Sequence, residues 1–356
     1  MKKTITQKNS IISTKLKEII NIPKINYHYP VMISNIINNI QNLIESKIID
    51  EFIYIDCTLG LGNHFLYLYK SFNKYIKKNI LIDKDITTIN LTIDFLKQEE
   101  IINNNFEIIN NNVINTQEIK IENIKNIKNS EFIFINDNFK NFIDYHRKLI
   151  NTEDNLIILA DLGISMYQIK NEEGFSFNNN TLLDMRYNKS QELKAKDIIN
   201  KYNKQELINI FNLVLNYKDS EKLANSIIKY REKQEIQTTQ DLNKIVSKIF
   251  SAKFLKDYLQ KIYLALRIKI NNELEDLEIF LENLLKIKNN FVCFIISYHS
   301  LEGKIIKKFL KINNLKYKKE KPLKEEIKIN KPSRSALLWI IYNLNYLNYS
   351  IRRDIK

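Results

Sequence analysis

The chain has 356 residues, enough for one large domain with a smaller one appended or inserted, and its 44% hydrophobic content argues against wholesale disorder. No uninterrupted apolar run approaches the roughly 20 residues that span a bilayer, and the two cysteines, Cys57 and Cys293, exclude a disulfide framework and a structural zinc site. The formal net charge of +14 favours nucleic acid as a partner, although abundant Ile, Asn and Lys also indicate an AT-rich genome that adds lysine regardless of function.

The first 26 residues are basic, with Glu18 as their only acid, and they lack the apolar stretch of a secretory signal. We expect a tail that is disordered or contacts RNA, and an organellar transit peptide is the alternative. The cysteine usage favours a reducing compartment, so we expect the cytoplasm unless this tail directs import. Residues 346–356 are expected to form a C-terminal tail.

From Tyr27 onward, short apolar runs alternate with segments whose apolar residues recur at helical spacing, beginning with residues 31–44. The predicted strands are, in chain order, 52–56, 80–83, 106–109, 156–161, 291–297 and 336–342. Near-continuous apolar strands separated by helices indicate a parallel sheet that is covered on both faces. Residues 27–187 and 286–345 are therefore expected to form the main α/β domain.

Two segments interrupt this alternation. Residues 114–155 are polar and rich in Asn and Lys, with an extra strand at 132–135 and a helix at 139–150, and we interpret them as an insertion at the periphery of the sheet. Residues 188–285 contain several helical patterns and no strand-like run. They predict an all-helical subdomain inserted between the strands at 156–161 and 291–297.

A glycine turn with Gly60 and Gly62 follows the first predicted strand, and the second strand ends in Asp83. Glycine lets a loop backbone approach a ligand, and an acid after the second strand accepts hydrogen bonds from ribose hydroxyls. Asp83 stands 21 residues after Gly62, near the expected spacing of about 20. Phe65 replaces the third glycine that dinucleotide dehydrogenases need for pyrophosphate, so this nucleoside pattern favours a methyltransferase while leaving a dehydrogenase open.

Asp161 ends the strand predicted at 156–161 and precedes Leu162 and Gly163. Ligands bind at the carboxyl edge of an open parallel sheet, and an acid placed there can reach a cofactor or a substrate amine. The alternative is that Asp161 only caps the helix that follows.

Eight short segments follow one another in a characteristic order: DCTLGLGNH (56–64), IDKD (82–85), DLGIS (161–165), GFSF (174–177), LDMR (183–186), ALRI (265–268), SYHSLE (297–302) and SRSA (333–336). In this order they resemble the bacterial 16S ribosomal RNA cytosine-N4 methyltransferase family (RsmH, formerly MraW). The resemblance runs from Tyr27 to about Tyr342. The chain departs from the family pattern at several positions, which include Asn63, Glu173, Leu264 and Gly303.

The resemblance implies an α/β, Rossmann-like S-adenosylmethionine-dependent methyltransferase sheet with an inserted all-helical subdomain. It also implies methylation of N4 of a cytosine in the decoding centre of small-subunit rRNA. S-adenosylmethionine would be the cofactor and the assembling 30S-type subunit the partner, with no metal and no membrane. The alternative is an RNA-binding or ribosome-assembly factor that kept the fold and lost turnover, a reading motivated by the departures at Glu173, Leu264 and Gly303. The sequence leaves the oligomeric state open.

Together with the glycine turn, the resemblance gives these candidate cofactor residues: Gly60, Gly62, Asn63, His64, Asp83, Val113, Asp161 and Gln168. Asp161 is also the catalytic candidate, for orienting the amine. Val113 stands where the family typically has an aromatic residue. His64, at the start of a predicted helix, is expected to shape the cofactor loop rather than to move a proton.

The candidate substrate residues are Ser165, Arg186, Arg267, His299 and Arg334. An arginine in a lysine-rich chain suggests a bidentate contact to phosphate or carboxylate, with ion pairs inside the protein as the alternative. His299 follows the strand at 291–297 and is expected near the rim of the site. There it would orient the cytosine or a phosphate, or else make a structural hydrogen bond.

Overall fold

A central sheet organises the chain, whose computed structural model describes residues 29–103, 106–110 and 130–344. Its strands are β1 (Phe52–Asp56), β2 (Ile76–Asp83), β3 (Phe106–Asn110), β4 (Phe132–Asn136), β5 (Leu156–Asp161), β6 (Phe291–Ser297), β7 (Lys316–Glu320) and β8 (Leu337–Asn343). They lie in the order β3-β4-β2-β1-β5-β6-β8-β7. The first six in this order are parallel, whereas β8 is antiparallel to β6 and β7.

Helices cover both faces of the sheet. The described helices are α1 (Ile33–Glu45), α2 (Asn63–Phe72), α3 (Ile86–Gln98), α4 (Phe142–Leu149), α5 (Met166–Asn171), α6 (Ala195–Lys201), α7 (Lys204–Phe211), α8 (Tyr217–Arg231), α9 (Thr239–Ile249), α10 (Leu255–Asn271), α11 (Glu273–Leu284), α12 (Ser300–Ile312) and α13 (Lys324–Ile329). One sheet face packs against α1, α2 and α3, and the other against α4, α11 and α12. Of the described helices, none is long and apolar enough to cross a membrane.

The inner strands are apolar along their whole length because both of their faces are buried. In β1, Ile53 and Ile55 belong to the core on one face, and Phe52 and Tyr54 to the core on the other. Side chains of a strand alternate between the two faces, so a strand covered on both sides needs apolar residues at successive positions. The α/β class predicted from these runs is confirmed.

Helices α6 to α10 lie between β5 and β6 in the chain and share a core of their own, to which Leu207, Ile227, Leu242 and Ile262 contribute. The helical subdomain is thus present as predicted. Helix α11 falls within the predicted limits of 188–285, yet its buried residues, such as Phe280, belong to the core of the sheet. The domain limits given by the sequence stay a prediction.

The peripheral position predicted for residues 114–155 is wrong for their described part. β4 lies inside the sheet between β3 and β2, and its five residues are all buried. β3 takes the edge, where Ile108 is exposed and Glu107 is only partly covered. An inner strand must bury two faces, and the Phe-Ile-Phe-Ile run of β4 satisfies this better than β3, which contains a glutamate.

A buried carboxylate joins α11 to the segments that follow β2 and β4. Asp276 is 1% exposed, and its oxygens accept hydrogen bonds from Lys84 Nζ at 2.8 Å, Lys140 Nζ at 2.7 Å and Asn138 Nδ2 at 2.6 Å. Burial by itself would raise the pKa of Asp276, but the two lysines outweigh it and the pKa is lowered from the ordinary value. This cluster ties the helix that enters from the subdomain to the carboxyl end of the sheet.

We expect Asp276→Asn to destabilise the protein by about 3 kcal/mol at neutral pH, because it leaves two partly buried ammonium groups without their counter-charge. Since the folded-state pKa lies below the unfolded value near 3.8, the carboxylate stabilises the fold above that pH, and the contribution is lost as pH falls through the folded-state pKa. Urea unfolding at neutral and acidic pH measures this. Glu282→Gln, on the exposed side of the same helix, is the control, and equal stability of the two variants would contradict the assignment.

Candidate active site

A cavity of about 480 Å³ opens at the carboxyl ends of β1, β2, β5 and β6. It is lined by Gly60 in the loop after β1, by Asp83 and Asp161 at the ends of β2 and β5, and by Tyr298 after β6. β1 lies between β2 and β5, so the chain changes direction across the sheet here, which is where open parallel sheets bind ligands. The volume is in the range of about 300–1,000 Å³ that small-molecule sites occupy.

Asp83 holds the glycine turn in place. Its Oδ2 accepts a hydrogen bond from the Gly60 N–H at 2.7 Å, and its Oδ1 accepts one from the Asp85 N–H at 2.9 Å. Burial raises the pKa of Asp83 to about 6, although both backbone donors oppose the shift. Thr92, on α3, donates from Oγ1 to the Gly60 carbonyl at 2.8 Å. The loop is therefore fixed from β2 and from α3.

Gly62, the last glycine of the turn, and Asn63, the first residue of α2, face different neighbours. Gly62 has φ +73°, and a Cβ there would lie 2.7 Å from Thr92 Cγ2, so close packing against α3 requires glycine. Asn63 lines the cavity, and its Oδ1 is buried without a hydrogen-bond partner. A ligand donor is the natural partner for such an acceptor.

Asp161 faces the cavity and does not cap the following helix. Its Oδ1 accepts a hydrogen bond from Tyr298 Oη at 2.7 Å, and its Oδ2 lies 3.7 Å from His64 Nδ1. Burial raises the pKa of Asp161, against the opposing effects of His64 and Tyr298. Ser165 caps α5 instead, because its Oγ accepts from the Gln168 N–H at 3.1 Å, and Gln168 Oε1 accepts in return from the Ser165 N–H at 3.2 Å. Both capping residues line the cavity.

Two of the arginines are held in ion pairs inside the protein. Arg267 lines the cavity, and its Nε and Nη2 donate to Glu273 at 2.8 and 3.0 Å. Tyr187 Oη donates to the same carboxylate at 2.9 Å. Arg186 lies away from the cavity lining and makes a two-bond ion pair with Asp184 at 2.7 and 2.8 Å. The substrate role predicted for Arg186 gains no support from these contacts. The ion pair with Asp184 accounts for an arginine at this position.

The other two substrate candidates, His299 and Arg334, do not line the cavity but adjoin residues that do. His299 Nδ1 accepts from the Glu302 N–H at 3.4 Å as the cap of α12. Burial and the nearby Arg267 lower the pKa of His299 to about 4, so the ring is neutral. Tyr298 and Glu302 line the cavity, whereas His299 does not. Arg334 is exposed beside Ser335, a lining residue.

Ligand atoms of Glu273, His299 and Glu302 lie within 4.8 Å of one another, a grouping that the sequence spacing did not predict. Arg267 already compensates the charge of Glu273 through its two hydrogen bonds. Burial raises the pKa of Glu302 to about 7, which further reduces the negative charge at this point. The ion pair accounts for the grouping, and we assign no metal to it.

Phe139 was not singled out from the sequence, and the sequence candidate Val113 lies outside the described residues. Phe139 follows β4 and lines the cavity, because β4 rather than β3 is the neighbour of β2. Lys84 also lines the cavity, with Nζ 5.8 Å from the ring centre of Phe139 and 5.9 Å from that of Tyr187. The sequence signal for Phe139 was a second apolar strand followed by a polar turn and an aromatic residue.

The MraW methylase family model matches residues 26–129 and 115–344. The chain belongs to this family. Proteins named ribosomal RNA small subunit methyltransferase H are similar to it. The one from Hydrogenobaculum sp. is 36% identical over 299 residues, 80% of this chain and 88% of the relative. The one from Karelsulcia muelleri is 34% identical over 337 residues, 88% and 97% of the two chains.

A solved rRNA methylase from Streptococcus thermophilus covers 87% of this chain and 96% of its own, at 11% identity and a TM-score of 0.32, which is too low to bear on function. Membership of the MraW methylase family confirms the resemblance seen in the sequence motifs. The two segments that match the family model meet between β3 and β4, where the sequence interpretation had placed an insertion.

We expect Gly62→Ala to destabilise the protein by about 1–3 kcal/mol, because it adds a Cβ in the left-handed region and against Thr92. Adding Thr92→Ser should restore part of this loss, since serine removes Cγ2 and keeps the hydroxyl that bonds Gly60. Urea unfolding of the single and double variants measures the coupling. Gly303→Ala is the control and should not destabilise the protein, because Gly303 lies in α12 with ordinary φ and a Cβ there would make only an ordinary contact, 3.6 Å from Trp339 Cζ2. An unchanged stability of Gly62→Ala would refute this account of the turn.

Proposed function

We propose that this chain transfers a methyl group from S-adenosylmethionine to N4 of a cytosine in the decoding centre of small-subunit rRNA. The observation that carries the proposal is that one cavity brings together Asp83, which suits a nucleoside, and Asp161, which suits an amine. Membership of the MraW methylase family and the names of its relatives support the reaction and the substrate.

The cavity residues fit S-adenosylmethionine. Asp83 offers carboxylate oxygens to ribose hydroxyls at the end of β2, and Phe139 offers a ring beside them for the adenine. The buried and unpartnered Oδ1 of Asn63 is an acceptor for a cofactor N–H or ammonium group. When bound, the cofactor supplies an electrophilic methyl group on a sulfonium, and no metal is needed for that chemistry.

The acceptor amine sets the task for the protein. Its lone pair is delocalised into the cytosine ring, so that it is a weak nucleophile and must be held in line with the methyl group. It must also lose a proton as the new bond forms. Asp161 is placed to orient the amine and to take that proton, because Tyr298 fixes Oδ1 and leaves Oδ2 free of a hydrogen-bond donor.

A set of exposed basic side chains, in the stretch of chain that ends at the cavity, supports RNA as the substrate. It consists of exposed side chains from β7 to the turn before β8: Lys316, Lys318, Lys319, Lys321, Lys324, Lys328, Lys331 and Arg334. Pro332 and Ser335, in the same turn, line the cavity. Phosphate contacts of this kind position a nucleic acid without reading its sequence. The target base would enter the cavity splayed out from single-stranded RNA.

The alternative function, an RNA-binding or ribosome-assembly factor that kept the fold and lost turnover (a scaffold), is not favoured. It was motivated by departures from the family pattern at Glu173, Leu264 and Gly303, and none of these residues lines the cavity. Its distinctive expectation would be a damaged cofactor or amine site, whereas Asp83 and Asp161 both face the cavity. We further propose a cytoplasmic location, in keeping with bacterial relatives. The organellar alternative rests on residues 1–26, which lie outside the described residues.

The proposed function is tested by incubating the purified protein with S-adenosylmethionine and small-subunit particles from cells that lack the gene. Mass spectrometry of the rRNA nucleosides should detect N4-methylcytidine, located to the decoding centre by nuclease mapping. A methyl group on another atom or base would correct the substrate. Failure to methylate any assembly form would favour the scaffold.

We expect Asp83→Asn to weaken S-adenosylmethionine binding by about 1.5–3 kcal/mol, the range for charge-assisted hydrogen bonds. The amide keeps the size of the side chain and one acceptor oxygen but lacks the charge. Calorimetry measures the affinity, and Asp94→Asn, exposed on α3, is the control. Equal affinity of both variants would move the ribose site away from Asp83.

We expect Asp161→Asn to lower methyl transfer by about 10²–10⁴-fold, the usual contribution of a positioned acid–base group. Cofactor affinity should change much less than the rate, because the substitution keeps the shape of the cavity wall. Single-turnover measurements at saturating cofactor separate the two quantities. If affinity collapses while the saturated rate stays normal, Asp161 binds the cofactor and does not act on the amine.

A further inference from the structure

The imidazole of His64 lies between a backbone carbonyl and the carboxylate of Asp161. Its Nε2 is 2.9 Å from the carbonyl oxygen of Val31, and its Nδ1 is 3.7 Å from Asp161 Oδ2. A carbonyl oxygen can only accept, so Nε2 carries the hydrogen. In the neutral ring, Nδ1 is then the nitrogen with the lone pair. The Val31 carbonyl thus determines that Nδ1 is the basic nitrogen of the neutral ring.

Two acceptors consequently face each other across the gap between His64 and Asp161. With the ring neutral, the carboxylate oxygen and the lone pair on Nδ1 have no hydrogen to share, and their separation of 3.7 Å is too long for a hydrogen bond. One added proton, on either atom, turns this contact into a charge-assisted hydrogen bond. The other oxygen of Asp161 is already occupied by Tyr298, so Oδ2 is the atom that receives the proton.

We propose that His64 stores the proton which the target amine loses, taking it through Asp161. The inference deepens the proposed function and rests on it. As the amine lone pair forms the nitrogen–carbon bond and the carbon–sulfur bond breaks, the N–H proton passes to Asp161 Oδ2. It then moves to His64 Nδ1, which leaves an imidazolium beside a carboxylate. His64 is a positioning residue in this scheme, because it acts through Asp161.

The surroundings stabilise the imidazolium once the amine has delivered its proton. Asp56, 1% exposed at the end of β1, and Glu326 on α13 both interact electrostatically with His64, and Tyr54 and Tyr298 face Asp161. Burial raises the pKa of Asp56 to about 6 and raises that of Glu326. His64 is itself 8% exposed, so a stored proton is largely shielded from water. The sequence predicts that His64 shapes the cofactor loop, and that role stays a prediction beside the contacts of its ring with Val31 and Asp161.

The first test uses the resting protein and needs no activity. NMR of the histidine ring nitrogens in isotope-labelled full-length protein should show His64 neutral at neutral pH, protonated on Nε2 only. In Asp161→Asn, the amide N–H donates into the gap, and the Nδ1 signal should move to its hydrogen-bonded position. The assignment comes from the signal lost in His64→Gln. If that variant does not fold, elimination with His28→Gln, His146→Gln and His299→Gln gives the same assignment. An imidazolium in the resting protein, or an Nδ1 signal indifferent to Asp161→Asn, would overturn the proposal.

The second test compares His64→Gln with unmodified protein. Glutamine keeps an N–H that can donate to the Val31 carbonyl and removes the basic nitrogen. S-adenosylmethionine affinity should stay within about twofold, while the single-turnover rate falls by about 10²-fold or more. The acid limb of the pH–rate profile, which reports protonation of the acceptor pair, should move by about one pH unit.

His146→Gln is the matched control, because His146 Nε2 bonds Asn289 Oδ1 at 2.9 Å far from the cavity lining, and its rate and profile should be unchanged. A normal rate in His64→Gln, or a loss of its affinity for S-adenosylmethionine, would refute the proposal that His64 stores the proton. If the unmodified protein transfers no methyl group, the proposed function fails, and the NMR result still decides whether His64 and Asp161 form a one-proton pair.

Discussion

Three carboxyl groups lie side by side at the ends of β1, β2 and β5, and their hydrogen bonds hold the loops around the cavity. Asp56 is buried, whereas Asp83 and Asp161 are partly buried and line the cavity. Burial raises the pKa of Asp56, Asp83 and Asp161 alike, so each group needs donors to stay ionised. Backbone N–H groups of the neighbouring loops supply several of them, at Thr58, Gly60 and Asp85. The loops thus gain defined positions because charges in a medium of low dielectric constant hold their donors strongly.

The same edge of the sheet is coupled to the helical subdomain. Lys84 follows Asp83 directly and bonds Asp276 on α11. Helices α10 and α11 adjoin at Asn272, whose φ is 51°, and the Arg267–Glu273 pair spans their junction beside the cavity. Two ion pairs therefore connect the subdomain to the nucleoside side of the cavity. Coupling of this kind requires no movement of the strands.

Much of this could be predicted from the sequence, because apolar runs of strand length and acids at strand ends are local signals. The glycine turn, Asp83, Asp161 and every described strand except β7 were found in this way. β7 was missed because its sequence, Lys-Tyr-Lys-Lys-Glu, contains no apolar run. The inner position of β4 was missed because the polar, Asn- and Lys-rich composition of residues 114–155 indicated an insertion, although the apolar run of β4 itself fits an inner strand. Val113 was carried over from the family pattern. The ring of His64 could not be oriented either, because its partner is a carbonyl 33 residues upstream. Likewise, the scarcity of arginine singled out Arg186 and Arg267 but did not reveal that acids within the protein bind them.

The lysines of β7 have a second consequence, which follows from its place at the open end of the sheet. An edge strand presents unpaired backbone groups that can add a strand from another molecule, and lysine side chains discourage this. Lys316, Lys318 and Lys319 are all exposed on β7, next to Tyr317 and at the end of the strand order. Replacing these lysines with neutral β-branched residues would let the edge pair with strands of other molecules. In such a variant, a loss of RNA binding could not be told from aggregation. Glutamates would reverse the charge towards RNA and still keep the edge from pairing.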